Sequence, residues 1–88
     1  MKVVMFYEMA ADGMSKAQAN IAGHRDRLKD FHARGVLLMA GPFANPFEGA
    51  LGVFTSRAAA EEFIQGDPFV TNGVVAKWVL RDWNEVLA

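Results

Sequence analysis

The chain has 88 residues, 52% of them hydrophobic and 22% charged, with no cysteine and nine Lys and Arg against ten Asp and Glu. So short a chain has room for one hydrophobic core, so a single domain over residues 1–88 is expected; the lack of cysteine removes disulfides and thiolate metal sites, leaving oligomerisation as the staple that small folds commonly need. A formal charge of −1 offers no basic footprint for nucleic acid, and the apolar start meets Glu8 and Asp12 too early for a signal-peptide core or a membrane span, so a cytoplasmic protein without nucleic-acid or membrane partners is expected.

Val3 to Met9 is rich in β-branched and aromatic residues and ends at Ala11-Asp12-Gly13, which predicts a first strand. Ser15 and Gln18 have the spacing of a capping box, so a helix is predicted to begin at Ser15. Ile21, His24, Leu28 and Phe31 then recur at spacings of three and four, with charged residues mostly on the other sides and Gly35 as the stop. Val36 to Gly41 is a continuous apolar run before Pro42, which predicts a strand buried on both faces. Pro42 to Gly49 reads as a loop, expected to border the pocket with Phe43 and Phe47 and to be mobile without ligand; Ala50 to Thr55 returns as a strand, completing a hairpin. Ser56 caps a second predicted helix through Gln65, stopped by Gly66. Asp67-Pro68 suits the N-cap and first residue of a short helical turn, and after Asn72-Gly73 the run Val74 to Trp83 alternates as a last strand.

The predicted order is β-α-β-β-α-β, an α+β ferredoxin-like fold in which right-handed crossovers put both helices on one face of an antiparallel sheet. The other face carries too many apolar side chains for water, so it is expected to pack against a second copy, giving a homodimer.

His24 is the most informative residue. It lies within the apolar stripe of the first helix, where only a polar partner justifies an imidazole. Topology brings the segment after the second helix toward that stripe, so Asp67 is the expected partner. A carboxylate fixes the tautomer of a histidine and makes it a better base, as general acid/base chemistry near neutral pH requires; a structural ion pair would look the same in the sequence. Tyr7 and Glu8 at the end of the first strand are candidates for the same cleft, with Glu8, Pro42 and Phe43 expected to bind the small-molecule ligand. His32, on the flank of the stripe, suits the helix end. The five methionines read as core filler. No serine or cysteine nucleophile, glycine-rich phosphate loop or metal-ligand spacing is evident, and the two histidines lie about two turns apart, too far to share an ion. No metal and no cofactor are therefore expected.

Gly23-His24, Leu28, Gly35, Leu37-Leu38, Ala40-Gly41-Pro42, the alanine-rich helix after Ser56, Asp67-Pro68-Phe69, Gly73 and Trp83 occur in an order that resembles the YciI-like (YCII-related) family over nearly the whole chain. The resemblance implies a dimeric α+β barrel related to muconolactone isomerases, with a site containing a His–Asp dyad, here His24 and Asp67. It also implies a reaction type, since one member in chloroaromatic breakdown is a dehydrochlorinase acting on a chlorinated hydroxyhydroquinone. Many members carry an arginine three residues before the histidine; here that position is Ile21, with Arg25 and Arg27 beyond the histidine instead. Two readings follow. One is a cofactorless enzyme, lyase or isomerase, moving a proton on a phenolic, quinone or lactone compound; the other is a non-catalytic ligand-binding or assembly module.

Overall fold

The computed structural model describes residues 1–44 and 48–88. Its elements are β1 (Lys2–Met9), α1 (Gly13–Ala33), β2 (Leu37–Pro42), β3 (Gly49–Phe54), α2 (Arg57–Gly66), α3 (Pro68–Thr71) and β4 (Val75–Trp83). The strands form one antiparallel sheet in the order β2-β3-β1-β4, so the first strand lies inside and the second at an edge. This is the α+β ferredoxin-like topology expected from the sequence.

Alternation along β1 decides which side chains meet the helices. Val3, Met5 and Tyr7 are buried beneath them, together with Phe54 and Leu37 of the neighbouring strands. Phe31 of α1 and Phe63 of α2 close this layer and meet edge to face at 5.2 Å. Fully burying a side chain of this kind stabilises by roughly 1.5–3 kcal/mol, so the aromatic contact is where the two helices are welded to each other and to the sheet.

Local chemistry sets most of the boundaries. Ser56 accepts the Ala59 amide and starts α2. Asp67 accepts the Phe69 amide and, with Pro68 in the first turn, starts α3. At the end of α1 the Gly35 amide donates to the His32 carbonyl and the Val36 amide to Phe31, with Gly35 at a φ of 78°. This is a Schellman ending, and its left-handed residue suits glycine.

Three expectations are corrected. α1 begins at Gly13, two residues before Ser15, and no capping box forms; the Ser15 hydroxyl donates to the Asp12 carbonyl, and Asp12 pairs with Lys16. The reason is tertiary. Ala10 donates to the Val74 carbonyl, and a Cβ at Gly13 would stand 2.6 Å from that oxygen, so the turn into the helix is pressed against the residue that precedes β4. The β2 strand is not buried on both faces: it is an edge strand, exposed from Met39 to Pro42, because it pairs only with β3. The hairpin strands and β4 are each displaced by about one residue from the predicted bounds. Phe47, one of the two aromatics assigned to the loop after Pro42, lies outside the described residues.

The face of the sheet away from the helices presents Val4, Phe6, Leu51, Val79 and Trp83, and Met39 beside them. A groove of about 690 Å³ runs over it, lined in addition by Leu87 and by the Lys2–Glu85 ion pair. No helix among the described residues is long and apolar enough to cross a membrane.

Candidate active site

Two close approaches place the site. Gly23 of α1 lets α3 come near: a Cβ there would stand 3.2 Å from the Pro68 ring. Four residues along, Arg27 reaches over the end of α2, where its guanidinium donates to the Phe63 and Glu62 carbonyls at 3.0 and 2.7 Å, filling the space a side chain on Gly66 would need. The Phe63 carbonyl lies in the last turn of α2, where the Asp67 amide donates to Ile64 instead, so Arg27 satisfies it and adds a second donor at Glu62. The residue after Gly66 is thereby held against the middle of α1, and it is Asp67.

Asp67 is completely buried and each of its oxygens is engaged. Oδ1 lies 2.7 Å from His24 Nδ1 and accepts the Phe69 amide at 3.1 Å; Oδ2 accepts the Tyr7 hydroxyl at 2.7 Å. A carboxylate only accepts, so the imidazole nitrogen facing it carries the proton. Burial, and next the neighbouring Asp67 charge, push the Tyr7 hydroxyl far above the ordinary tyrosine range. Tyr7 is therefore a fixed donor and not a base. The His24 ring stacks on Phe69, with centroids 3.9 Å apart and planes inclined by 2°.

Neutral His24 held this way presents Nε2 as an acceptor. That nitrogen has no hydrogen-bond partner among the described residues and is not sealed from solvent. His24 lines a cavity of about 350 Å³ between α1 and the sheet, walled mainly by apolar side chains, among them Met5, Met9, Ile21 and Leu28, with Tyr7, Arg25 and Pro42. The arrangement can orient a planar ligand, exclude water from one side of it and exchange a proton with it.

Of the residues singled out in the sequence, His24, Asp67 and Tyr7 are brought together and Pro42 lines the same cavity. Glu8 and Phe43 do not line it; they flank an adjoining cleft that shares Tyr7, Met9 and Met14 with it, and Glu8, following Tyr7 on the strand, turns to the opposite face. His32 is elsewhere, its Nδ1 2.8 Å from the Leu37 carbonyl. The roles of Arg27, Gly66 and Gly23 carry no local signal, since each answers to a residue distant in the chain. Among the described residues no group of three or more His, Asp or Glu could hold a metal ion.

A ferredoxin-like unit with both helices on one side of its sheet and an apolar, groove-bearing face on the other has the fold of the dimeric α+β barrel proteins. Two solved structures share it. The 5-chloro-2-hydroxyhydroquinone dehydrochlorinase TftG of Burkholderia phenoliruptrix AC1100, in complex with 2,5-dihydroxybenzoquinone, is similar at a TM-score of 0.80 and 18% identity, over 96% of this chain and 94% of that one. Rv0793 of Mycobacterium tuberculosis is similar at 0.52 and 13% identity, over 98% and 97%. The YCII-related domain model matches residues 1–84, and the chain belongs to that family. No protein of curated description matches it.

Proposed function

We propose that the protein is a small cytoplasmic enzyme, working as a homodimer, in which His24 oriented by Asp67 moves a proton on a phenolic, quinone or lactone compound. The observation that carries this reading is the pairing of a buried, fully engaged carboxylate with one ring nitrogen of a histidine that lines an apolar cavity and whose other nitrogen is unpartnered among the described residues. A histidine serving only the core has no need of that second half.

In the proposed reaction Nε2 removes a proton from the ligand. The imidazolium so formed is stabilised by Asp67, whose own charge is held in place by the Tyr7 hydroxyl and the Phe69 amide. The electron pair released by the ligand forms a new double bond as a leaving group departs, which is elimination, or the proton returns at another carbon, which is isomerisation. The fold shared with a dehydrochlorinase favours elimination, as an analogy of fold and not of site. Exposed Phe6, Met39, Val79 and Trp83 on one sheet face support the homodimer.

The test is chloride release from 5-chloro-2-hydroxyhydroquinone by the intact protein, by His24→Gln and by Asp67→Asn. Release that depends on both residues is the expected result. Unimpaired turnover by His24→Gln would remove the imidazole from the mechanism, and binding without turnover would make the protein a ligand-holding module. For the dimer, sedimentation at micromolar concentration should show twice the 9.7 kDa chain mass; a single-chain species would overturn it.

A further inference from the structure

We infer that Arg25 is the anion anchor of the His24 cavity, and that the ligand is a phenol held there as its phenolate. This rests on the reading of the cavity as a ligand site and adds the charge of what enters it.

Arg25 follows Ile21 by four residues and precedes Leu28 by three, so it belongs to the row of α1 that lines the cavity. Arg25 is exposed and lines the cavity, the position from which a long cationic side chain lays its apolar stem along a wall and keeps its charged head at the edge. The other arginines of the helical layer are occupied. Arg27 donates to the end of α2 and lies over the Phe31 and Phe63 rings, and Arg34 pairs with Glu62 and Asp30. Arg25 has no ion pair or hydrogen bond with the described residues. The cavity lining contains no carboxylate to compensate it; Glu8 and Glu48 flank the adjoining cleft, and Asp67 lies behind His24 with both oxygens engaged. The result is a small apolar chamber with a fixed positive charge at its rim and a proton acceptor in its wall.

That combination selects the ligand. The methionines facing the chamber, Met5, Met9 and Met14, are adaptable surfaces for a ring. A phenol that gives up its proton leaves an oxygen whose charge a planar guanidinium can hold with two donors, against walls that weaken screening by water. A neutral ring of the same shape would gain only the apolar contact.

The experiment uses the intact protein with 4-nitrophenol, whose phenolate absorbs visible light, and its neutral methyl ether, 4-nitroanisole. Bound 4-nitrophenol should ionise at a pH about one unit lower than when free, and the phenolate should bind more tightly than the ether. In Arg25→Gln, whose fold is checked by its melting curve, the displacement should vanish and phenolate affinity should fall roughly five- to twentyfold, the range between an exposed and a partly desolvated charged hydrogen bond, with ether affinity unchanged. The anchor is refuted if Arg25→Gln keeps the displacement, or if the intact protein binds neither probe or does not discriminate between them. Failure of the catalytic reading shows elsewhere, in His24→Gln turnover, while that variant should still bind the phenolate in its ionised form.

Discussion

The two histidines of α1 stand eight residues apart on one helix, and each has its Nδ1 within hydrogen-bond distance of an oxygen. At His32 the oxygen is the Leu37 carbonyl; at His24 it is the buried carboxylate of Asp67. A carbonyl orients a ring and does little more, whereas a carboxylate also stabilises the ring once it takes up a proton. The surroundings differ in the same sense. His32 sits at the exposed end of the helix and ties it to β2, while His24 is stacked between Phe69 and a cavity. A histidine becomes a candidate catalyst through what its partner can do when a charge appears.

The contrast can be broken most decisively at His24. His24→Ala should lower turnover by roughly 10²- to 10⁴-fold, the usual contribution of a positioned acid or base, measured by steady-state kinetics under substrate saturation. Asp67→Asn keeps the shape and the α3 cap but removes the charge, so turnover should fall about 10- to 100-fold; the ¹⁵N shifts of the ring should then show how far the protonated Nδ1 depends on that charge. An activity unchanged in Asp67→Asn would make the two histidines equivalent and end the comparison.

Tyr7 sharpens it from the other side of the carboxylate. Tyr7→Phe leaves Oδ2 buried without its donor and should cost about 1–3 kcal/mol by chemical denaturation. The pH dependence follows from the upward shift of this hydroxyl. Its folded ionisation lies above the ordinary value of 10.0, so the stability it contributes is complete below that pH and is lost as pH rises beyond it, because the unfolded chain releases the proton first. The slope should be about 1.4 kcal/mol per pH unit. Tyr7 is the only tyrosine, so tyrosinate absorbance should appear together with unfolding and not before it; ionisation of the intact fold near pH 10 would contradict the buried hydrogen bond. The smallest effect belongs to His32→Ala, which should cost about 1 kcal/mol of stability and leave turnover unaltered.

The elements built by local chemistry are the ones legible in the sequence. Ser56, Asp67-Pro68 and Gly35 act on amides and carbonyls a few residues away, so their effect can be read without knowing the fold. The start of α1 is not legible in this way: Gly13 answers to the carbonyl of Val74, and the capping pattern at Ser15 is local chemistry overruled by that contact. The edge position of β2 is also hidden, since an apolar run does not reveal how many neighbours it has. The meeting of α1 with the segment after α2 follows from element order, but its accuracy depends on Arg27 spanning to Glu62 and Phe63, more than thirty residues away. The separation of Tyr7 from Glu8 could have been read: Val3, Met5 and Tyr7 share one parity, and Glu8 has the other.

The empty places at Gly23 and Gly66 carry a consequence for genetics. Neither residue bears a side chain and neither lines the cavity, yet a methyl group at 66 would meet the Arg27 guanidinium at 2.5 Å and one at 23 would press on Pro68. At 66 the flexible guanidinium would swing aside and lose its hydrogen bonds to the Glu62 and Phe63 carbonyls, and at 23 the Pro68 ring would have to give by a few tenths of an ångström. In a saturation screen these two positions should tolerate alanine better than the dyad tolerates any change, yet less well than their distance from the cavity suggests, so a map of sensitive residues would draw a site larger than the one any ligand touches.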